Sequence, residues 1–144
     1  MRVADILRLK GGDVEVIRPE AKVLLAVHRL RMQNVGALVV TRDGARVEGV
    51  LCERDIVRGL ARHGAELLDM SVVAVMSRSV PVCSPEDSVA HVMQVMTRTR
   101  NRHVPVVDGG RLCGIVSIGD VVKHRLEDME LEANVLRDAY LATH

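Results

Sequence analysis

The chain predicts a mixed α/β (α+β) fold: two tandem β-α-β-β-α repeats packed about a pseudo-twofold axis, with a long C-terminal helix. Three observations predict it. The sequence is written twice, apolar spacing within each copy switches between strand and helix periods, and a heptad seam runs to the C-terminus. The copies align with a constant offset: Val14-Glu15-Val16-Ile17-Arg18-Pro19-Glu20 lies over Val80-Pro81-Val82-Cys83-Ser84-Pro85-Glu86, sixty-six residues later. The offset falls to sixty-five at Gly49 over Gly114 and holds to Asp55 over Asp120, so the Arg42–Arg46 turn is one residue longer than its Asp108–Gly110 counterpart. Fixed-period self-similarity is the signature of repeated supersecondary units.

Each copy opens on a β-rich stretch, Val14–Ile17 or Val80–Cys83, that runs into a proline; proline biases the residue before it toward extended geometry. Val23, Ala26, Val27 and Leu30, like Val89, Val92, Met93 and Met96, follow the i, i+3, i+4, i+7 spacing of a helix with one buried face. Apolar strands follow at Ala37–Val40 and Val104–Val107. Turns with Asp43-Gly44 and Asp108-Gly109-Gly110 return the chain through Val47–Leu51 and Leu112–Val116. A second helix is expected near Asp55 or Asp120. Neither half buries both faces of its sheet alone, so the halves should pack together; Met76-Ser77-Arg78-Ser79 is too short for a flexible hinge. The expected organisation is residues 1–68 for repeat 1, 69–126 for repeat 2 and 127–144 for an amphipathic C-terminal helix. Val122, Leu126, Met129, Ala133, Leu136 and Tyr140 form its heptad seam, which needs a partner surface on its own module or across a homodimer.

Composition narrows the chemistry. There is no Phe or Trp and one Tyr in 144 residues, so aliphatic side chains fill the core and no aromatic platform exists for stacking single-stranded bases. Twenty basic residues against nineteen acidic ones leave a net charge of +1, which is no nucleic-acid footprint. Cys52, Cys83 and Cys113 form no CxxC pair, which fits a reduced, cytoplasmic setting. The N-terminus is too charged for a signal peptide, and no apolar run approaches the ~20 residues that span a membrane. The six histidines have no metal-ligand spacing, and no catalytic triad, paired carboxylates or P-loop is visible. The expectation is therefore no enzyme, no metal and no catalytic cofactor. Cys52, near Arg54 and a helix start, reads either as a reactive thiol or as an inert, partly buried one.

The motif that carries chemistry joins the last strand of each copy to its last helix: Gly114-Ile115-Val116-Ser117-Ile118-Gly119-Asp120, and Gly49-Val50-Leu51-Cys52-Glu53-Arg54-Asp55. An ionised carboxylate accepts charge-assisted bonds from both hydroxyls of a ribose, a serine hydroxyl serves sugar or phosphate, and amides at a helix start favour a phosphate. Gly114 and Gly119 leave room for close approach. Ser117-x-x-Asp120 is equally a capping box that closes a helix N-terminus.

This β-α-β-β-α repeat with G-h-h-S/T-x-x-D (h apolar), together with Glu53–Arg58, Arg102–Val107 and Ser117–Val122, resembles the CBS domain. Two copies resemble a CBS pair, or Bateman module, of the stand-alone bacterial kind, over residues 1–126. The resemblance implies a non-catalytic regulatory module that binds an adenine nucleotide (AMP, ATP or NAD(H)) between the repeats. It would act as a homodimer and signal to an unidentified protein partner in trans. It also implies two sites. In the second, ribose meets Asp120 and Ser117, the base lies against Ser79, Val80, Arg102, His103 and Pro105, and Arg54 reaches over from the other repeat to the phosphate. In the first, Cys52 replaces the hydroxyl beside Asp55, and binding should be weaker. A structural or scaffold homodimer without a physiological nucleotide is the alternative.

Overall fold

A computed structural model describes residues 1–143. His144, the last residue of the expected C-terminal helix, lies outside them. The elements in chain order are α1 (Val3–Lys10), β1 (Val16–Ile17), α2 (Val23–Gln33), β2 (Ala37–Val40), β3 (Gly49–Cys52) and α3 (Glu53–His63). A 3-10 turn (Gly64–Asp69) leads to α4 (Val72–Val75), α5 (Val89–Thr99), β4 (His103–Asp108), β5 (Arg111–Ser117) and α6 (Ile118–Thr143). The fold is the mixed α+β tandem repeat expected from the sequence.

Helices α2 and α5 bury the predicted stripe: Val23, Ala26 and Leu30 in one, Val89, Val92 and Met96 in the other. In repeat 1, β1 runs parallel to β2 and β2 antiparallel to β3, with Leu38 opposite Leu51 and Ala37 opposite Cys52. In repeat 2, β4 and β5 pair antiparallel, Val104 opposite Val116 and His103 opposite Ser117.

The expected strand Val80–Cys83 is reduced to one parallel bridge, Cys83 to Val106. The reason is two prolines. In repeat 1 the Val39 N–H donates to the Glu15 carbonyl at 3.0 Å. At the matching positions of repeat 2 stand Pro105, which has no N–H, and Pro81, which cannot donate to the ladder either. What survives is Cys83 N–H to the Pro105 carbonyl (2.9 Å) and Val107 N–H to the Cys83 carbonyl (2.8 Å).

Two apolar cores form, and each lead-in crosses to the other repeat. Val3 and Ile6 of α1 pack with Val89, Val92, Val104 and Val116 of repeat 2. Val72, Val75 and Met76 pack with Ile17, Leu38 and Leu51 of repeat 1. Backbone bonds fix both crossings: Val3 N–H donates to the Asp87 carbonyl, and Val72 N–H to that of Ala21. The first glycine of each motif lies at a crossing point. A Cβ at Gly114 would stand 2.6 Å from Leu7 Cδ2, and one at Gly49 2.6 Å from the Ser77 carbonyl oxygen. Gly114 thus makes room for α1, where the sequence suggested room for a ligand.

Residues 127–143 are no separate element; they continue α6 from the second motif. That helix is about 39 Å long at 1.5 Å per residue. From residue 129 onward every described position is exposed, including Met129, Leu136 and Tyr140 of the seam. Among the described residues no helix is long and apolar enough to cross a membrane.

Candidate functional site

Between the repeats lies a cleft of about 700 Å³. Its walls come from matching places in the two copies: Gly36 and the Cys52–Arg54 motif segment from repeat 1, and Arg100–His103 with Ile118 from repeat 2. Ser77 and Val80 of the connecting segment complete it. The chain folds locally so as to present these groups. Strand β3 ends at Cys52 because Asp55 closes a capping box there, its Oδ2 accepting from the Cys52 N–H at 2.9 Å. Helix α5 ends at Arg100 in the left-handed region, φ 57°. The corresponding residue of repeat 1 is Asn34, φ 52°, a side chain that tolerates this conformation. An arginine there costs on the order of 1 kcal/mol; Arg100 joins Arg54 and Arg102 in lining a cleft whose one carboxylate is that of Glu53. The Arg54 guanidinium donates to the Arg100 carbonyl, so the two repeats are tied across the mouth. His103 packs against Gly36, where a Cβ would meet its ring at 3.0 Å. Burial pushes its imidazole below the usual histidine range, against the opposing pull of Glu53.

The two motif aspartates are placed differently. Asp120 Oδ2 accepts from the Ser117 N–H at 2.9 Å and the Ser117 hydroxyl accepts from the Asp120 N–H at 3.1 Å, so the capping box is real. Lys10, at the end of the crossed-over α1, also donates to Asp120 Oδ2, at 2.7 Å, and to the Ile115 carbonyl at 2.9 Å. This pair is sheltered, with side-chain exposures of 33% and 24%, where Arg8–Asp5 shows 75% and 39%. Burial works against the Asp120 charge, but the Lys10 ammonium and the Ser117 amide outweigh it and hold the carboxyl below its ordinary range. Asp55 is 7% exposed and has both oxygens taken. Oδ2 accepts from the Cys52 amide and thiol, and Oδ1 from the Ser77 hydroxyl at 2.9 Å. Burial, reinforced by the Asp55 charge, raises the Cys52 thiol; an inert thiol fits this, and an activated thiolate does not.

Of the residues picked from the sequence, Cys52, Arg54, Val80, Arg102 and His103 share the cleft. Ser117 and Asp120 lie beside it, adjoining Ile118. Ser79 is exposed and outside its walls, and Pro105 is buried in β4 opposite Ile115. The Ser77–Val80 segment stands on the Asp55 side, since Ser77 bonds that carboxylate, whereas the expectation set Ser79 and Val80 beside Asp120. Sequence reasoning missed Lys10, Ser77, Glu53 and Arg100. Lys10 and Ser77 reach the motifs only because the lead-ins cross over, which a single sequence does not reveal. Arg100 carried a usable signal, as it aligns with Asn34 at a helix end.

The CBS domain profile matches residues 3–62 and 72–127, both repeats. The chain belongs to the CBS domain family. A solved structure of a CBS-domain containing protein from Agrobacterium tumefaciens is 42% identical to this CBS pair, with a TM-score of 0.84, covering 87% of this chain and 99% of that one. A mitochondrial CBS domain-containing protein of Arabidopsis thaliana, CBSX3, is 32% identical over 92% of this chain and 71% of its own length. The structure of CBSX2 in complex with AMP is 25% identical, with a TM-score of 0.74, and covers 89% of this chain and 98% of that one.

Proposed function

We propose that this CBS pair is a non-catalytic regulatory module that binds an adenine nucleotide (AMP, ATP or NAD(H)) between its repeats and signals to a protein partner in trans. The observation that carries this reading is the cationic cleft, with Arg54, Arg100 and Arg102 facing one acid, directly beside the Ser117–Asp120 motif. Guanidinium groups bind phosphate bidentately, and the fixed backbone of Arg100 lowers the ordering cost of that contact. The AMP complex of CBSX2 supports the ligand class.

In this reading the ribose hydroxyls go to Asp120, the base rests against Met96 and Ile118, and the phosphate meets the arginines. Asp120 uses Oδ2 for both its protein partners, which leaves Oδ1 as the oxygen for a ribose hydroxyl. Lys10 then has two courses, to stay as a counter-cation or to turn toward the phosphate. Either links ligand binding to α1, which packs on the second core, and gives a route by which occupancy biases the relation of the repeats. Calorimetric titration with AMP, ATP and NADH, and with S-adenosylmethionine as a phosphate-free adenosine probe, tests the reading. Phosphate-bearing ligands should bind the wild type, and Arg102→Ala should weaken them about tenfold or more. No binding by any of them would overturn it.

A homodimer belongs to the same proposal. The α6 seam is uncovered from Met129 to Tyr140, and a heptad seam of this kind pairs with another helix. This also favours the second reading, a structural homodimer without a physiological nucleotide, because both motif aspartates already have work as helix caps. The titration decides between them.

A further inference from the structure

A second cavity, of about 650 Å³, opens at the far end of the repeat 1 sheet, where β2 turns into β3. Three arginines line it: Arg42 and Arg46 from the turn, and Arg78 from the segment joining the repeats. The turn is built rather than loose. Asp43 Oδ1 accepts from the Ala45 and Arg46 N–H groups, both at 2.9 Å, and from the Thr41 hydroxyl at 3.2 Å. The Thr41 oxygen accepts from Gly44 N–H at 3.1 Å, and the Ala45 carbonyl takes the Leu112 N–H of repeat 2 at 2.7 Å. Arg78 is steadied by a 3.2 Å bond from Nη2 to the Val73 carbonyl.

The charges in this cavity are unevenly matched. Arg42 Nε pairs with Glu48 Oε1 at 3.0 Å, and Asp43 is committed to the turn. Arg46 and Arg78 have no ion pair among the described residues. The other oxygen of Glu48, Oε2, is buried with no hydrogen-bond partner. A buried acceptor left unmade is costly, and two unpaired guanidiniums favour a planar or tetrahedral oxyanion. Val47, Val73 and Met76 supply an apolar wall between these groups. The requirements of the cavity are therefore one oxyanion and a short carbon skeleton beside it. The matching turn of repeat 2 is shorter and runs through Gly109 and Gly110, φ 58° and 79°.

We propose that this cavity is a separate binding site for a small phosphate monoester, the size of a sugar phosphate. Its phosphate is held by Arg46 and Arg78, and its carbon skeleton rests on Val47, Val73 and Met76. The site stands apart from the inter-repeat cleft and does not rest on the nucleotide reading.

Ribose 5-phosphate, inorganic phosphate and AMP, each titrated calorimetrically into the full chain, test it. The component of ribose 5-phosphate binding that survives Arg102→Ala in the cleft is assigned to this site. Arg46→Ala and Arg78→Ala, both at exposed positions, should each weaken it about tenfold or more. Competition by AMP, lost in Arg46→Ala, would make the phosphoribosyl end of a nucleotide the source of the ligand. Absence of competition would make it a free sugar phosphate, and both results support the site. No saturable binding in the Arg102→Ala chain, or binding that Arg46→Ala and Arg78→Ala leave unchanged, overturns it; thermal melts of the variants exclude unfolding as the cause.

Discussion

The two copies of the motif end in the same aspartate, and the protein uses them differently. Asp55 is enclosed: one oxygen caps α3 and meets the Cys52 thiol, the other is taken by Ser77. Asp120 caps α6 with a single oxygen, and that same oxygen accepts from the Lys10 ammonium. Each extra partner arrives on a lead-in from the other half, a serine after α4 and a lysine after α1. A serine hydroxyl donates to the Asp55 carboxylate at 2.9 Å in a buried place, whereas a lysine can swing away on a four-carbon stem. One duplicated motif is closed by a buried serine contact in the first copy and by a partly exposed lysine in the second.

The largest effect that sharpens the comparison comes from the motif glycines. Gly49→Ala would push a Cβ into the Ser77 carbonyl, backbone that cannot turn aside, while Gly114→Ala would meet only the end of Leu7. Gly49→Ala should cost about 2–3 kcal/mol and Gly114→Ala about 1. In thermal unfolding that is a drop of roughly 4–10 °C against 2–4 °C. Equal drops would mean that the two lead-ins cross with equal slack.

A smaller difference is expected from removing the carboxylates. Asp55→Ala strands the Cys52 amide and the Ser77 hydroxyl in a buried site and should cost about 2 kcal/mol. Asp120→Ala loses a cap and a half-exposed ion pair, about 1 kcal/mol. Urea midpoints at constant m-value check the order.

How much of this was legible follows the range of the interactions. The stripes Val23-Ala26-Leu30 and Val89-Val92-Met96 placed α2 and α5 because helix periodicity is local. The repeat revealed the matched cleft walls, so Arg54 and Arg102 could be set on opposite sides of one opening. The weak strand before Pro85 was misread because the apolar run hid what Pro81 and Pro105 remove from the ladder. The lead-in crossings were invisible for a different reason: a swap between two halves of the same pattern preserves every local signal. The contacts of Lys10 and Ser77 with the motif aspartates depend on that swap.

The smallest effect is a titration. The folded-state carboxyl of Asp120 lies below its ordinary value, so its stabilising contribution is present above the ordinary carboxylate pKa and is lost as pH falls through the folded one. Lys10→Met removes the nearest cation and should move the Asp120 carboxyl back up, narrowing that acid window. Carbon-detected NMR of the side-chain carboxyl would show it, and an unmoved titration would mean that the Ser117 amide alone holds the charge.

The central claim, that the second motif grips a ligand and the first does not, is tested most directly by calorimetric titration of AMP into Asp120→Asn and Asp55→Asn side by side. Asparagine keeps an oxygen for each helix cap and removes the charge. The account predicts affinity weakened about tenfold or more in Asp120→Asn and within about twofold of wild type in Asp55→Asn. Equal losses in the two variants, or a greater loss in Asp55→Asn, would contradict it.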